Sequence, residues 1–305
     1  MQKFNSRCAM VCNICPRKCN IDRRGNKCGF CGETESLRVA RIAPHHFEEP
    51  PISGTRGSGT VFFSGCSLKC VFCQNKIISR EGGVGKEIGA DELYQKILEL
   101  QENGVHNINL VTPTHFLSAL LPIIERLKSS GELRIPIVYN SSGYERVESL
   151  RMLDGLVDIY MPDFKYASSE LAARYSGAPD YPEVAERAIA EMIRQRGKYK
   201  YSESEPSLLQ SGVLVRHLVL PSHRTDSIDV LHKLLAIADP DDILISLMSQ
   251  YTPDFALDTP YKNLHRRITS FEYSSVCKEA DALGFVGFEQ CRDSSSTHYT
   301  PNFTG

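Results

Sequence analysis

The chain has 305 residues, a formal net charge of −2, 24% charged residues and 41% hydrophobic residues. This length allows a large core, and the balance of charge excludes a disordered chain and argues against a protein that binds nucleic acid electrostatically. No run of 18 apolar residues exists and residues 1–10 hold no hydrophobic stretch, so we expect a soluble, unsecreted protein without a membrane span.

Cysteine is the most informative residue type in this chain. Nine of the eleven cysteines fall within the first 73 residues, separated mostly by two or three residues. Such clustering in a large chain without a leader indicates metal ligation in a reducing cytoplasm rather than disulfides. Cys277 and Cys291 stand apart, and we expect a core-facing helix residue and a lone thiol near the tail, respectively.

Residues 8–32 contain six cysteines among turn-forming and basic residues, with almost no apolar side chains to form a core. A segment of this composition folds only around a metal, which is either zinc in tetrahedral sulfur or an iron–sulfur cluster. Our preferred ligands are Cys12, Cys15, Cys19 and Cys31, with Cys8 and Cys28 in reserve. We therefore predict an accessory metal-binding module over residues 1–35.

Residues 36–58 carry the pair His45-His46, the acidic pair Glu48-Glu49 and a run rich in Pro and Gly. This composition predicts a connecting arm that leads into the first strand. We expect the two histidines to be interfacial or solvated rather than metal ligands.

The stretch 59–75, GTVFFSGCSLKCVFCQN, places three cysteines directly after an apolar strand: Cys66, Cys70 and Cys73. Three thiolates on one short loop can hold a cubane iron–sulfur cluster and leave one iron without a protein ligand, and an open metal position permits chemistry. The same Cys-x3-Cys-x2-Cys spacing occurs at Cys8, Cys12 and Cys15. Only the second triplet has a preceding strand and lacks a fourth cysteine close behind it.

This second triplet, with Phe72 just before its last cysteine, resembles the signature of the radical S-adenosylmethionine (SAM) enzymes. In that superfamily the open iron of a [4Fe-4S] cluster chelates SAM, and an electron from the cluster splits SAM into methionine and a 5′-deoxyadenosyl radical. The resemblance therefore implies both cofactors here. The alternative for three such cysteines is a zinc knuckle or a few buried structural cysteines.

From residue 59 onward, strand and helix patterns alternate. Short apolar runs predict strands at 60–64, 107–112, 135–139, 156–161, 213–220 and 243–248, and helical spacing predicts helices at 91–103, 115–129, 144–153, 181–196, 226–238 and 270–283. The alternation predicts a parallel sheet covered on both faces, and it fits an open doubly wound sheet or a partial barrel. We expect a surface insertion at 197–212 and a polar tail at 291–305, of which Tyr299, Pro301 and Phe303 could cover the barrel.

In either architecture the chemistry belongs at the carboxyl ends of the strands. Polar residues follow the later predicted strands there: Thr112, Thr114, Asn140, Ser142, Asp163, Lys165 and Arg216. SAM needs acceptors for its ammonium, a cation for its carboxylate and polar contacts to its ribose, and these residues, together with Phe72, have that chemistry.

The resemblance extends over nearly the whole chain except the tail. The segments CNICPRKC, HHFEEPPISGTRGSGTVFFSGC, HNINLVTPTHF, IPIVYNSSGY, VDIYMPDFKYA, VRHLVLP and ISLMSQYTP are similar to the branch of radical SAM proteins related to pyruvate formate-lyase activating enzymes, the PflX-type iron–sulfur proteins. This similarity favours a (β/α)6 partial barrel over residues 59–290. It matches Asp163 and Lys165 to the Asp-Leu-Lys of the activating enzymes, and Arg216 to a SAM-contacting arginine.

One departure from that branch concerns the SAM ammonium. The activating enzymes have Gly-Gly-Glu after the second strand, and here Thr112-Pro113-Thr114-His115 takes that place, so the sequence offers no carboxylate at this point. The resemblance further implies an oxidoreductase, a protein substrate such as a glycyl residue of a partner enzyme, and a reduced flavodoxin- or ferredoxin-like electron donor.

Two functions of other classes stand as alternatives. The chain could be a non-catalytic iron–sulfur or zinc protein that carries electrons or docks a partner through its cysteines. The basic residues Arg17, Lys18, Arg23 and Arg24 beside zinc-finger-like cysteines suggest a nucleic-acid binder, which the near-neutral total charge opposes.

Overall fold

The computed structural model describes residues 11–80, 84–289 and Phe303. Its strands are β1 (Arg38–His45), β2 (Ser58–Phe63), β3 (Lys86–Glu87), β4 (Ile108–Val111), β5 (Ile137–Ser141), β6 (Ile159–Pro162), β7 (Lys200–Tyr201), β8 (Leu209–Leu218), β9 (Leu244–Met248) and β10 (Val286–Glu289). Its helices are α1 (Pro50–Ser53), α2 (Lys76–Arg80), α3 (Ala90–Glu102), α4 (Leu117–Ser130), α5 (Val147–Arg151), α6 (Ser169–Ser176), α7 (Tyr181–Arg196), α8 (Arg224–Leu235) and α9 (Ser270–Ala282).

The strand order decides between the two predicted architectures. Neighbouring strands run β10-β9-β8-β6-β5-β4-β2-β1-β3, and all pairs from β2 to β10 along this path are parallel. The order never reverses, whereas a doubly wound sheet reverses at its switch point. Right-handed crossovers in one direction place the helices that connect successive parallel strands on the same face, which curls the sheet into a partial barrel as the resemblance implied.

Two apolar cores cover the two faces of this sheet. The larger one lies between the sheet and the outer helices and includes Leu93 and Ile97 of α3. The smaller one fills the inside of the barrel at the amino ends of the strands, with the members Ile52, Val138, Ile159, Met161, Leu209, Leu214 and Leu244. Fully buried Ile52 of α1 belongs to this core and fills this end of the barrel.

The six predicted strands and the six predicted helices are all present, within a few residues of their expected bounds. Helix α7 spans 181–196 as predicted, and α9 begins with a capping box formed by Thr269 and Glu272. Helix α4 continues through Pro122.

The main difference concerns the expected connecting arm. Within residues 36–58, β1 pairs antiparallel with β2, and α1 enters the barrel. Arg38 and Arg41 interrupt the apolar run of β1. The strand can contain them because it lies near the edge of the sheet, where most of its residues are only half-buried. In the expected insertion 197–212, Leu209 already begins β8 and Lys200–Tyr201 forms β7 beside it. Cys8, Cys291 and the tail other than Phe303 lie outside the described residues.

None of the helices in the described part of the chain is long and apolar enough to cross a bilayer.

Candidate active site

The three cysteines of the second triplet lie on the loop that follows β2. Gly65 opens this loop with φ +80°, and a Cβ at this position would lie 2.7 Å from the carbonyl oxygen of Cys31, so the turn requires glycine. Burial, together with the neighbouring Cys70 and Cys73 thiols, raises the pKa of Cys66 to about 12. Cys70 is buried and Cys66 and Cys73 are half-buried beside it, so the three thiols lie together, as a shared cluster requires.

Each sulfur of this triplet accepts one hydrogen bond from the protein. The hydroxyl of Ser176 donates to Cys70 Sγ over 3.0 Å and the hydroxyl of Ser79 to Cys73 Sγ over 3.4 Å. The backbone N–H of Leu68 donates to Cys66 Sγ over 3.4 Å. Hydrogen bonds of this kind orient thiolate ligands and set the potential of an iron–sulfur cluster.

A cavity opens beside these cysteines at the carboxyl ends of the barrel strands. Of the residues predicted to contact SAM, the lining includes Phe72, Thr112, Asn140, Ser142, Asp163, Lys165 and Arg216. The structure thus brings together seven side chains that are spread over 145 positions of the sequence.

Thr114 is the predicted SAM contact that does not line this cavity. Its buried hydroxyl donates to Glu145 Oε1 over 3.1 Å and accepts from the hydroxyl of Tyr139 over 2.9 Å. The turn Thr114–Phe116 begins right after Pro113 and directs Thr114 behind the cavity wall. Thr114 therefore has a structural role in this arrangement.

Thr112 has an unusual backbone at the end of β4. Its φ is +56°, a region that β-branched residues rarely adopt, and its N–H donates to the carbonyl of Asn140 over 2.8 Å. Strain of this kind persists where the surrounding structure over-determines it, and it clusters at functional sites.

Arg216 and Asp163 form the centre of a charged network on the cavity wall. Arg216 donates to Asp163 Oδ1 from Nε over 3.0 Å and to Asn140 Oδ1 from Nη2 over 2.7 Å. Lys165 Nζ donates to Asp163 Oδ2 over 2.5 Å. Burial alone would raise the pKa of Asp163, but the two cations outweigh it and lower this pKa. Asp163 is thus ionised and paired.

Two further carboxylates complete this network, and the sequence analysis placed both in the connecting arm. Glu48 lines the cavity with about 10% of its side chain exposed, and its Oε2 lies 3.5 Å from Arg216 Nη1. Glu49 accepts from the hydroxyl of Ser246 over 2.7 Å. Burial raises the pKa of both. The sequence feature that could have placed Glu48 and Glu49 in the site is the apolar segment directly after them, Pro50–Ser53, which enters the barrel as α1.

His45 also lines the cavity, whereas His46 is exposed. Burial lowers the pKa of His45 to about 4, with smaller contributions from Arg41 and His46. The ring of His45 packs edge-on against Phe62, with 5.9 Å between centroids. His45 is accordingly a neutral, interfacial residue.

The amino-terminal cysteines come together in a second group. Cys12, Cys19 and Cys31 lie close enough to Cys15 for their charges to act on it, and burial raises the pKa of Cys15 to about 12. Cys28 is exposed. Among the described residues, no three His, Cys, Asp or Glu side chains are placed to hold a single metal ion.

Comparison with known proteins identifies the domain. The radical SAM superfamily model matches residues 60–201. An uncharacterised protein of Methanocaldococcus jannaschii is 28% identical over 278 residues, which cover 88% of this chain and 74% of that protein.

Two solved structures are also similar. A radical SAM methyltransferase from Sphaerobacter thermophilus has a TM-score of 0.51 and 14% identity, covering 76% of this chain and 65% of that one. A domain of pyruvate-formate lyase-activating enzyme from Bacteroides vulgatus has a TM-score of 0.40 and 12% identity, covering 57% of this chain and 91% of that one.

The likeness to the methyltransferase is one of fold, and this chain spans less than two-thirds of its length. The matched range 60–201 begins in β2 and includes the three-cysteine loop and the carboxyl ends of β4, β5 and β6. Residues 60–201, which carry the three-cysteine loop, therefore match the radical SAM superfamily.

Proposed function

We propose that this protein is a radical SAM enzyme that holds a [4Fe-4S] cluster on Cys66, Cys70 and Cys73. When bound, the cluster and SAM supply an electron and a 5′-deoxyadenosyl radical for abstraction of a hydrogen atom. The observation that carries the proposal is the group of three mutually close thiols, each with a hydrogen-bond donor, beside a cavity that contains charges of both signs.

The donor set fits such a cluster. Thiolates are the ligands that iron–sulfur clusters prefer, and the sequence contains no further cysteine between Cys73 and Cys277. One iron of a cubane on this loop would have no cysteine ligand from the loop and would be free to bind SAM. The hydrogen bonds to all three sulfurs stabilise thiolate over thiol.

The cavity wall fits the amino-acid end and the ribose of SAM. Lys165 and Arg216 offer cations for the carboxylate, while Asn140 and Ser142 offer polar contacts to the ribose hydroxyls. Phe72 supplies an apolar wall next to the cysteines. We assign SAM binding to these residues together with Thr112 and Asp163, and not to Thr114.

After β4 this protein lacks the carboxylate that the activating enzymes offer to the ammonium of SAM. The hydroxyl and carbonyl of Thr112 are acceptors at that position, and Glu48 adds a carboxylate to the same cavity. We propose that these groups together replace the missing glutamate.

For the substrate we propose a protein, in the manner of the glycyl-radical activating enzymes. The motif similarity to that branch supports this choice, as does a cavity that opens at the carboxyl ends of the strands. For the electron donor we propose a reduced protein of the flavodoxin or ferredoxin class. The cysteine-rich composition fits a reducing cytoplasm. Copurification of the anaerobically expressed protein with its partner, followed by mapping of any radical, tests this assignment.

Electron paramagnetic resonance (EPR) of the reduced protein tests SAM binding directly. We expect the cluster signal of the wild type and of Cys28→Ala, a control at an exposed cysteine, to change when SAM is added. Cys70→Ala should lack the SAM-sensitive signal. A zinc-bound protein, or a signal that ignores SAM, would support the non-catalytic metal protein instead.

A further inference from the structure

The amino-terminal cysteine module, which we define as residues 11–35, is not used by the proposed SAM chemistry. It contains a short hairpin in which the N–H of Cys12 donates to the carbonyl of Ile21 and the N–H of Asn20 donates to the carbonyl of Cys12. Val11 is 46% exposed, so apolar burial contributes little to this hairpin. Something other than a hydrophobic core must hold the module together.

Four thiols converge within the module. Cys19 Sγ and Cys31 Sγ lie 3.6 and 3.5 Å from the position that a Cβ on Gly29 would take. Cys12 and Cys19 are both close enough to Cys15 and Cys31 for their charges to interact. Cys28 is exposed and is not part of this group. The four thiols that lie near one another are thus Cys12, Cys15, Cys19 and Cys31.

A zinc ion and an iron–sulfur cluster would make different use of four such thiols. Zinc has no redox chemistry, so a zinc ion here would only support the fold. A cubane cluster binds one cysteine at each iron and can take up and release one electron. The module contacts the SAM loop through Cys31 and Cys66, and this position favours a redox-active cluster.

The module is joined directly to the loop of the SAM cluster. The N–H of Cys66 donates to the carbonyl of Cys31 over 3.3 Å, so a single hydrogen bond connects a ligand of one group to a ligand of the other. Arg17 reinforces this contact by donating to the carbonyls of Ser67 and Ser176 over 2.7 and 2.9 Å. Ser176 is also the residue that donates to Cys70 Sγ.

The module also reaches the protein surface. Cys28, Lys27 and Arg24 are exposed, whereas Cys31 beside the SAM loop is buried. Of the two exposed cations, Arg24 is paired with Asp22 over 2.6 Å.

We infer that Cys12, Cys15, Cys19 and Cys31 hold a second iron–sulfur cluster that relays single electrons from an external one-electron donor to the cluster on Cys66, Cys70 and Cys73. The donor loses one electron, the second cluster accepts and releases it, and the SAM cluster gains it, with no bond made or broken. The metal site stands by itself, whereas the relay rests on the proposed function.

Metal counting in the anaerobic holoprotein tests the site. We expect about eight irons per chain in the wild type and in Cys28→Ala, because each cubane holds four. Cys12→Ala with Cys31→Ala should leave about four, as should Cys66→Ala with Cys70→Ala. One zinc and four irons in the wild type would overturn the second cluster, as would eight irons in the Cys12/Cys31 variant.

The wild type alone also gives an answer if a variant does not fold. Its reduced EPR spectrum should contain two components, of which SAM alters one. A single component that responds to SAM would contradict a second cluster. Two components of which neither responds would leave the second cluster intact and overturn the proposed SAM chemistry, so the two failures are distinguishable.

A comparison of reductants tests the relay. In the Cys12/Cys31 variant we expect 5′-deoxyadenosine formation with dithionite, a small molecule that can enter the cavity, to stay within about twofold of wild type. With reduced flavodoxin it should fall at least about tenfold. Equal losses with both reductants would show that the module only supports the fold, and no loss with flavodoxin would show that electrons bypass it.

Discussion

At the scale of single residues, the hydroxyl of Ser176 is the most direct influence on the cysteine loop. It donates to Cys70 Sγ over 3.0 Å and is paired with the hydroxyl of Tyr166 over 2.9 Å. A hydrogen bond to sulfur stabilises the more negative, reduced cluster. Ser176→Ala should therefore lower the reduction potential, by about 40 mV if the bond is worth ~1 kcal/mol more to the reduced form.

A potentiometric titration followed by EPR measures this shift. Ser79→Ala is the matched control, because its hydroxyl is 3.4 Å from Cys73 Sγ and should have a smaller effect. An unchanged or higher potential in Ser176→Ala would contradict the assignment of this hydrogen bond.

Glu145 makes the stability of the folded protein depend on pH between about 4.5 and 7. Burial raises its pKa to about 7, against smaller lowering effects of the hydrogen bonds from Ser141 and Thr114, with Asp163 and Lys165 also acting on it. Since the folded pKa lies above the ordinary value of 4.5, the folded state binds the extra proton, and stability falls as pH rises from about 4.5 to 7.

Glu145→Gln keeps the shape of the protonated side chain and removes this titration. We expect a flatter stability profile and a gain of up to ~3 kcal/mol above pH 7, measured by anaerobic urea unfolding from pH 4.5 to 8. Glu125→Gln, at an exposed site on α4, should leave the profile as in wild type. The same slope in both variants would contradict a buried, neutral Glu145.

Residue identity at strand ends predicted most of this site, and the exceptions have physical causes. Asn140, Asp163 and Arg216 line the cavity because a side chain at the carboxyl end of a barrel strand has few other places to point. Thr114 begins the turn that directly follows Pro113, and hydrophobic periodicity does not predict the direction of such a turn. Glu48 enters from a segment before the barrel, so no strand pattern identified it.

At the scale of elements, the ends of β5 and β6 are held together by Gly143. Its φ is +75°, and a Cβ would lie 2.0 Å from the carbonyl oxygen of Asp163. Gly143→Ala must therefore move the strand end that carries Asp163. We expect a loss of about 1–3 kcal/mol for the clash in addition to about 1–2 kcal/mol for the left-handed backbone, together with weaker SAM binding.

Gly131→Ala separates these two effects. Gly131 has φ +73° with nothing within 4 Å of the Cβ position, so its substitution should incur only the backbone cost and leave SAM binding unchanged. Urea unfolding and the EPR response to SAM measure both quantities. Equal behaviour of the two variants would show that the contact with Asp163 is unimportant.

Elements with a strong local signal were predictable and those defined by their neighbours were not. Helix α7 has turn residues at both ends, and α9 has a capping box, so both could be placed from sequence. Strand β1 contains two arginines and is defined by its antiparallel backbone pairing with β2 rather than by its own sequence pattern. Strand β10 is exposed along most of its length, and among the described residues it pairs only with β9.

At the scale of the whole molecule, Arg17 connects the cysteine module to the barrel. Its guanidinium donates to the carbonyls of Ser67, Ser176 and Gly177. Lysine cannot reproduce this planar set of donors. Arg17→Lys should therefore cost about 1–3 kcal/mol and increase hydrogen exchange in residues 11–35.

Hydrogen exchange with mass spectrometry measures this docking. Arg24→Ala is the control, because Arg24 is exposed and pairs with Asp22 within the module. It should change stability by less than about 0.5 kcal/mol. Unchanged exchange in Arg17→Lys would mean that the module is held by other contacts.

Formation of 5′-deoxyadenosine tests the central claim most directly. Anaerobically reconstituted wild type, given dithionite and SAM, should produce 5′-deoxyadenosine and methionine in equal amounts, and Cys28→Ala should do the same. Cys70→Ala should produce neither above background. Absence of 5′-deoxyadenosine from the wild type with a full iron content, or its continued formation by Cys70→Ala, would contradict radical SAM chemistry on the loop of Cys66, Cys70 and Cys73.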